Sequence, residues 1–289
     1  NPVSHKRQDV VEATLPEAQY DQVAVYGPDG QKVPSQVLDA SSGQTRVLFL
    51  AEAPSAGYAV YDMRPGEEPA GGTRLKVTRS TLENGRYKVA LNDNGDVASV
   101  YDKKLERELL KSPARLALLK ANPRMWPAWN MSWRERIRGP YAYVTDTPQI
   151  RIKEDGPVRV SLEVTRQSHG STFRQTISLA AGDAGKRLMF DNKVEWKTKG
   201  TTLKAVFPLS PYNFNARYNL GLGTIQRPNN HSRKYEVPSR EWVDLTDTSG
   251  TYGVSVLDDC KHGSDKPDGH TLRLTLLHTP IANTYHDQA

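Results

Sequence analysis

The chain has 289 residues, enough for one large or two ordinary domains with a substantial core. Hydrophobic residues make up 37% of the sequence and charged residues 25%, and no apolar run approaches membrane-spanning length, so we expect a soluble protein without a membrane partner. The formal net charge is +6, but the lysines and arginines are scattered along the chain, which argues against a nucleic-acid partner. The composition leaves the compartment open, with the periplasm and secretion as candidates.

The only cysteine is Cys260, so the chain can form neither an internal disulfide nor a cysteine zinc cluster. We expect Cys260 to be a structural thiol in a turn rather than a nucleophile. The seven histidines lack the spacings H-x-D and H-E-x-x-H, which gives weak support for a metal site built by this chain.

The first part of the chain predicts a small all-β unit. Four short segments rich in β-branched or alternating apolar residues predict strands: residues 9–13, 22–26, 46–51 and 57–63. Residues 64–73 read RPGEEPAGGT and lack periodicity, which is typical of a linker. We therefore predict a small β-sandwich-like unit over residues 1–72 and a large domain over residues 73–289.

The large domain also predicts strands throughout. Asn94-Gly95 lies between the alternating segments 82–89 and 97–101, which is a strong hairpin signal. Residues 102–110 are compatible with one turn of helix, and no longer helical period occurs. Further predicted strands are residues 157–166, 171–179, 187–196, 203–208 and 271–278. Taken alone, this periodicity indicates an all-β sandwich or barrel.

Residues 122–133, NPRMWPAWNMSW, contain three of the five tryptophans. In one interpretation Trp126, Trp129 and Trp133 cap a sheet and bury apolar area, with their N–H groups bonded at the rim. In the other, the indoles are exposed and stack on sugars. We favour burial.

Residues 218–263 are the most informative stretch. Residues 218–225 suit a strand that bends at its two glycines, residues 226–234 form a very polar loop, and residues 252–257 return to a strand. A polar loop on a rigid sheet is a common place for function.

Five features of this stretch follow one another in a fixed order: Leu222-Gly223, the pair Arg227-Pro228, the polar loop 229–233, the segment Trp242-Val243-Asp244-Leu245, and the turn 252–263. In this order they resemble the C-terminal β-domain of glycoside hydrolase family 38, the retaining α-mannosidases. Residues 1–11, 82–110 and 126–130 are similar to other segments of that family, although Pro127 replaces an acidic residue. The resemblance implies a large supersandwich of the galactose-mutarotase-like kind after the small N-terminal unit.

The resemblance also implies that catalysis belongs to a different domain of the parent enzyme. The parent enzyme would hydrolyse terminal α-mannosides of glycans, with its nucleophile and a zinc or calcium site in an N-terminal catalytic domain that no segment here resembles. We therefore expect a fragment that stops short of the family's terminal strands, has no catalytic residue or metal ligand, is inactive alone, and exposes an apolar face. Its expected partners are the catalytic domain and mannose-containing glycans.

The resemblance implies that the β-domain lends polar side chains to the sugar pocket, and Arg227 is the best candidate. A guanidinium is always charged and presents a fork of donors that suits two hydroxyls or a carboxylate. The alternative for Arg227 is an ion pair that anchors the loop. Tyr218 and Asn229 flank the same loop and are further candidates for stacking on a sugar or hydrogen-bonding to it, although each is more often structural.

Two other functions stay open. A stand-alone carbohydrate-binding module would need the tryptophans exposed on one face. A sugar epimerase or lyase on this fold would need a histidine beside a carboxylate, for which the sequence offers His231 and Glu236. We expect a turn-capping role for Asp258 or Asp259 rather than an acid and nucleophile pair, because strand neighbours point to opposite faces.

Overall fold

The computed structural model describes residues 1–16, 19–41, 43–123 and 125–280. The strands are β1 (Arg7–Leu15), β2 (Val23–Tyr26), β3 (Lys32–Val33), β4 (Ser35–Ser41), β5 (Gln44–Ala53), β6 (Asp62–Pro65), β7 (Lys76–Val77), β8 (Thr81–Glu83), β9 (Tyr87–Leu91), β10 (Val97–Asp102), β11 (Arg107–Glu108), β12 (Arg115–Lys120), β13 (Ala142–Tyr143), β14 (Gln149–Asp155), β15 (Arg159–Ser168), β16 (Ser171–Ala180), β17 (Met189–Glu195), β18 (Thr201–Pro208), β19 (Asn215–Asn219), β20 (Thr224–Pro228), β21 (Val237–Pro238), β22 (Trp242–Thr246), β23 (Gly253–Leu257), β24 (Gly263–Asp265) and β25 (Thr271–Thr279). In the described residues helix is limited to α1 (Trp133–Ile137) and a 3-10 helix (Gly182–Lys186), so the predicted all-β class is confirmed. The end of the chain, where we expected the family's terminal strands to be missing, lies outside the described residues.

Strands β1 to β6 form a small unit of two antiparallel sheets, with the orders β1-β5-β4 and β3-β2-β6. Successive side chains of a strand point to opposite faces. Val47 and Phe49 of β5 therefore point toward Val23 and Val25 of β2, and these buried side chains form the core between the two sheets.

The other face of β5 packs against the larger part of the molecule. Leu48 and Leu50 are buried in a cluster that includes Val158. Gln36 Oε1 accepts hydrogen bonds from the backbone N–H groups of Val158 (3.2 Å) and Arg159 (3.1 Å). Apolar and polar contacts together thus fix the small unit to the start of β15, while the domain boundary between residues 72 and 73 stays a prediction.

Strands β7 to β25 form four sheets, with the orders β11-β10-β9-β8-β7, β14-β15-β16-β17, β20-β19-β22-β23 and β13-β12-β18-β25-β24-β21. The first three share one core, to which they contribute buried residues such as Val89, Leu162, Ile177, Tyr218 and Leu245. The six-stranded sheet packs on β16 through a separate cluster that contains Leu118, Leu203 and Phe173. In that sheet β18 lies between β12 and β25, so strands far apart in the sequence become neighbours.

The predicted Asn-Gly hairpin is confirmed. The backbone N–H of Asn92 donates to the carbonyl of Asp96 at 3.0 Å, and Gly95 has φ +73°, a conformation that suits glycine. The turn of helix allowed over residues 102–110 is wrong. Asp102 Oδ1 instead accepts the backbone N–H of Lys104 at 2.9 Å and turns the chain from β10 into β11.

Two predicted strands need correction. Of residues 57–63, only the last two belong to a strand, β6. Residues 218–225 do not form one bent strand, because β19 ends at Asn219 and β20 begins at Thr224. Gly221 (φ +88°) and Gly223 (φ +155°) make the turn of a hairpin, and both values are unfavourable for residues with a Cβ atom. No helix among the described residues is long and apolar enough to cross a membrane.

Candidate functional site

Tyr218 lies on β19 and Arg227 on β20, the two strands of the hairpin that turns at Gly221 and Gly223. The register pairs Tyr218 with Ile225 and Ala216 with Arg227, which places the Tyr218 and Arg227 side chains on the same face of the sheet. The Arg227 guanidinium lies 5.1 Å from the centroid of the Tyr218 ring, and its Nη1 donates to the Pro238 carbonyl at 2.5 Å. Arg227 thus anchors the loop through a ring and a carbonyl, whereas the alternative expectation was an ion pair.

The rest of the Arg227 guanidinium is available. Among the described residues, no carboxylate forms an ion pair with Arg227, and only its Nη1 has a hydrogen-bond partner. Burial lowers the pKa of Arg227, an effect that Tyr218 opposes, but an arginine remains a cation at neutral pH. Burial, and next the charge of Asp265, raise the pKa of Tyr218, so its hydroxyl stays neutral. Because Tyr218 is buried in the core, the arrangement can offer the N–H donors of Arg227 but not the tyrosine ring.

Asn229 supports a buried lysine. Its Oδ1 accepts a hydrogen bond from Lys266 Nζ at 2.5 Å, and the same ammonium donates to the carbonyls of Asn213 (2.7 Å) and Asp268 (2.6 Å). Lys266 is fully buried, and burial lowers its pKa to about 8 against the opposing charge of Asp268. The neighbouring Asn230 donates to Asp265 at 2.7 Å. Asn229 therefore helps to hold the loop on β24, and a contact between Asn229 and a sugar stays a prediction.

Five charged residues beneath the loop form what we call the buried ionic cluster: Arg136, Lys204, Glu236, Asp265 and Arg273. Lys204 Nζ lies 2.6 Å from Asp265 Oδ1 and 2.6 Å from Glu236 Oε2. Arg273 Nε donates to both oxygens of Asp265, at 3.1 and 3.0 Å. The side chains of Lys204 and Asp265 are 0% exposed. Burial alone would raise the pKa of Asp265, but the charges of Lys204 and Arg273 outweigh it and lower that pKa to about 2.

Arg136 connects this cluster to the tryptophan-rich segment. It lies on α1, is buried, and donates from Nη2 to Thr202 Oγ1 at 3.0 Å. Its Nε is 3.8 Å from Glu236 Oε2, and burial lowers its pKa. On the same side, Tyr235 Oη donates to the Met131 carbonyl at 2.7 Å and its ring packs on Trp133 at 5.4 Å. The tryptophan-rich segment therefore packs directly against Tyr235, which follows the polar loop.

Our preference for buried tryptophans is wrong for two of the three. Trp126 is 50% exposed and Trp129 is 77% exposed, whereas Trp133 is half-buried against Tyr235. The chain turns tightly here, since the N–H groups of Trp129 and Asn130 both donate to the Trp126 carbonyl and Trp126 has φ +53°. Because half or more of each side chain is exposed, Trp126 and Trp129 do not cap a sheet.

The other candidates from the sequence do not form a catalytic centre. His231 is exposed and pairs with Lys234 through the backbone, while Glu236 binds Lys204 and Thr275, so the predicted histidine and carboxylate pair is not assembled. Asp258 Oδ1 accepts the backbone N–H of Lys261 at 3.0 Å, which is the turn-capping role that we expected.

The thiol of Cys260 is exposed, and its hydrogen bond to Asp259 raises its pKa, which disfavours a nucleophilic thiolate. In the part of the chain that the structure describes, no three histidine, cysteine, aspartate or glutamate side chains are placed to hold a metal ion.

Four residues of this region were not among the candidates from the sequence: Lys204, Asp265, Lys266 and Arg273. Lys204 interrupts the strand TTLKAVFP and Arg273 interrupts TLRLTLLH, and both strands are otherwise poor in charge. A charged residue inside such a strand is the available signal, because a charge is rarely buried without a partner. That signal does not reveal which carboxylate is the partner.

The family model described as the glycosyl hydrolases family 38 C-terminal domain matches residues 82–286. The chain belongs to this family. The family 38 chain is 28% identical over 256 residues to alpha-mannosidase 2C1 of Homo sapiens, and the match covers 83% of the chain and 24% of that relative. It is 29% identical over 225 residues to an alpha-mannosidase of Saccharomyces cerevisiae, covering 71% of the chain and 20% of the relative. The chain thus spans about a quarter or less of the length of these curated relatives.

Solved structures agree on the fold. The crystal structure of an alpha-mannosidase from Enterococcus faecalis V583 matches with a TM-score of 0.67 at 14% identity, over 96% of the family 38 chain and 38% of that structure. A second family 38 protein from Enterococcus faecalis matches with a TM-score of 0.66 over 99% of the chain. The predicted fold, a small N-terminal β-unit followed by the family's supersandwich, is therefore confirmed.

Proposed function

We propose that this chain serves as the C-terminal β-domain of a retaining α-mannosidase, where it supports the catalytic domain and completes the sugar pocket. The observation that carries the proposal is the match of residues 82–286 to the family's C-terminal domain, together with relatives named alpha-mannosidase. The substrates would be terminal α-mannosides of glycans. The partners would be the catalytic domain of the same enzyme and the glycan, with no role for nucleic acid or membrane.

Arg227 is the residue we propose to reach the sugar. Its guanidinium is held on one side by Pro238 and the Tyr218 ring, so little side-chain entropy is lost when the remaining N–H groups bind hydroxyls. The buried ionic cluster and Lys266 fix the base of the loop, which preorganises it. Exposed Trp126, Trp129 and Leu222 add apolar surface that suits contact with another domain.

The chemistry of hydrolysis belongs to the catalytic domain in this proposal. A retaining glycosidase needs two carboxyl groups about 5 to 5.5 Å apart, one as nucleophile and one as acid and base. The carboxylates that we considered serve other roles: Glu236 and Asp265 hold buried cations, and Asp258 caps a turn. The described residues do not fit a zinc or calcium ion, so we propose that the metal also lies in the catalytic domain. We expect no hydrolysis by this chain alone.

The test compares hydrolysis of an aryl α-mannoside, with divalent metal present, by this chain and by an enzyme that joins it to a family 38 catalytic domain. We expect turnover only by the joined enzyme. Arg227→Ala in that enzyme should lower kcat/KM by at least about tenfold, because donors to sugar hydroxyls are lost. Arg227→Lys should recover part of the loss.

Arg233→Ala is the matched control, because Arg233 lies on the same loop, is exposed and carries the same charge. It should leave kcat/KM unchanged. Turnover by the chain alone would overturn the assignment of chemistry to the catalytic domain, and equal kcat/KM for Arg227→Ala and the unchanged enzyme would remove Arg227 from the pocket.

A second candidate is carbohydrate binding by the tryptophan-rich segment, which the exposure of Trp126 and Trp129 favours. In that case Trp129→Ala should abolish binding of an oligosaccharide to the chain. Calorimetric titration of the chain and of this variant with a neutral trisaccharide is the measurement.

A further inference from the structure

The outward face of the sheet β20-β19-β22-β23 contains a groove of about 700 Å³. This volume lies in the range of small-molecule sites, about 300 to 1,000 Å³. The residues that matter here are Asn215, Arg217, Gln226, Trp242, Asp244 and Ser255. Tyr218 and Arg227 lie on the opposite face of the same strands, so the groove is separate from the polar loop site.

The motif Trp242-Val243-Asp244-Leu245 explains why these side chains meet. In β22 the side chains of Val243 and Leu245 are buried in the core, and Trp242 and Asp244 point the other way. Packing of the core explains Val243 and Leu245, but it does not explain Trp242 and Asp244. An indole on the outward face next to a carboxylate has no role in the core.

The strand register aligns four polar side chains across the groove. Gln226 pairs with Arg217, Arg217 with Asp244, and Asp244 with Ser255. Neighbouring strands are about 4.8 Å apart, so this row is about 14 Å long. Trp242 lies at one side of the row, opposite Leu257. The groove thus has an extended polar floor and an aromatic side.

Some of these groups are held in place and others are unengaged. Thr246 Oγ1 donates to one oxygen of Asp244 at 2.7 Å, and Ser255 Oγ donates to the other at 2.8 Å. Within the described ranges, the side chains of Arg217 and Gln226 have no hydrogen bond or ion pair, although Arg217 faces Asp244 across the sheet. The Asp244 carboxylate, held by two hydrogen bonds, therefore lies beside the side chains of Arg217 and Gln226, whose donors and acceptor are unengaged in the described residues.

We propose that this groove binds a short neutral oligosaccharide. Sugar hydroxyls both donate and accept, which matches a row of amide, guanidinium, carboxylate and hydroxyl groups, and the C–H face of a pyranose packs on an indole such as Trp242. The groove has one guanidinium, Arg217, against two carboxylates, Asp244 and Asp247, which disfavours nucleic acid or a sulfated glycan. Binding of a neutral oligosaccharide is argued from the groove alone, and only the choice of mannose as the sugar rests on the proposed function.

The experiment is a calorimetric titration of the whole chain with α-linked mannotriose, with maltotriose as a second neutral probe and a heparin tetrasaccharide as an anionic probe. We expect saturable binding of at least one neutral trisaccharide and none of heparin. Trp242→Ala should weaken that binding by at least about tenfold, which corresponds to 1.4 kcal/mol. Trp129→Ala tests the competing tryptophan-rich segment, because only binding on that segment would be lost with this indole.

A second set of variants keeps the test valid if Trp242→Ala is unstable. Arg217→Ala and Gln226→Ala alter exposed side chains without partners in the described residues, so both should fold, as checked by thermal unfolding, and both should weaken binding. The proposal is overturned if neither neutral trisaccharide binds, if heparin binds best, or if only Trp129→Ala weakens binding.

The titration uses the chain alone and the turnover assay uses the joined enzyme, so the failure of one proposal leaves the other standing.

Discussion

The small N-terminal unit and the six-stranded sheet use ion pairs in opposite ways. In the small unit, Arg46 and Glu12 form a pair at 2.6 Å with side chains that are 47% and 41% exposed. In the six-stranded sheet, Lys204 and Asp265 form a pair at the same distance with no exposure. The two ion pairs have the same distance but very different interaction energies, because solvent screens the first pair and is absent from the second.

The difference shows that the free energy of unfolding depends on the buried ion pairs far more than on the exposed ones. An exposed pair changes the free energy of unfolding by about 0 to 1 kcal/mol, because water solvates each partner when the other is removed. A buried pair repays the cost of desolvation only while it is complete. In the buried ionic cluster each carboxylate serves two cations, since Asp265 binds Lys204 and Arg273 while Glu236 binds Lys204 and lies near Arg136.

The largest expected effect is that of Asp265→Asn. The amide leaves Lys204 and Arg273 buried with less negative charge, so the free energy of unfolding should fall by about 3 to 5 kcal/mol. Urea unfolding followed by circular dichroism measures this. Asp62→Asn, in the exposed pair with Arg64, is the control and should change the free energy by less than about 1 kcal/mol. Similar losses in the two variants would remove the contrast between the two regions.

An intermediate effect is expected from acid. The pKa of Asp265 is about 2 in the folded chain and about 3.9 in an unfolded one, so the unfolded state binds more protons between these values. The stabilisation from Asp265, about 2 to 3 kcal/mol, should be complete above about pH 5 and be lost as the pH falls through 2. Denaturant unfolding at pH 5, 4, 3 and 2 follows this loss, and Asp265→Asn should lack this part of the slope. An equal slope in both proteins would contradict the assignment.

The smallest expected effect is that of Glu12→Gln. Breaking the exposed pair with Arg46 should lower the free energy of unfolding by less than about 1 kcal/mol, and about 1 M sodium chloride should remove even that difference. Thermal unfolding of both proteins at low and high salt is the measurement. A larger, salt-resistant loss would mean that the pair is shielded from solvent.

Local sequence predicts part of the fold well. The hairpin at Asn94-Gly95 follows from residues that touch within the turn, and the strand predicted over residues 252–257 is β23. The order of strands in the six-stranded sheet does not follow, because β18 pairs with β25 across some seventy residues. Only the family resemblance supplied the supersandwich.

The site shows the same limit. The contact between Arg227 and Tyr218 could be predicted from the sequence, because both residues belong to one hairpin. The contact of Asn229 with Lys266 and the pairing of Lys204 with Asp265 join residues 37 and 61 positions apart, which no short pattern encodes. The exposure of Trp126 and Trp129 was predicted wrongly, because a tryptophan is buried only where another element covers it.

The strand order of the two regions also sets an order of events during synthesis. All the strands of the small unit precede residue 66, so its two sheets need no strand from later in the chain. Lys204, in contrast, meets Asp265 and Arg273 only after β24 and β25 have left the ribosome. Until then β18 is a strand with one unpaired edge, and such edges can pair with other chains. A charged side chain in an exposed strand disfavours such pairing, so Lys204, which is buried in the finished sheet, is the kind of residue that protects this strand before β25 covers it.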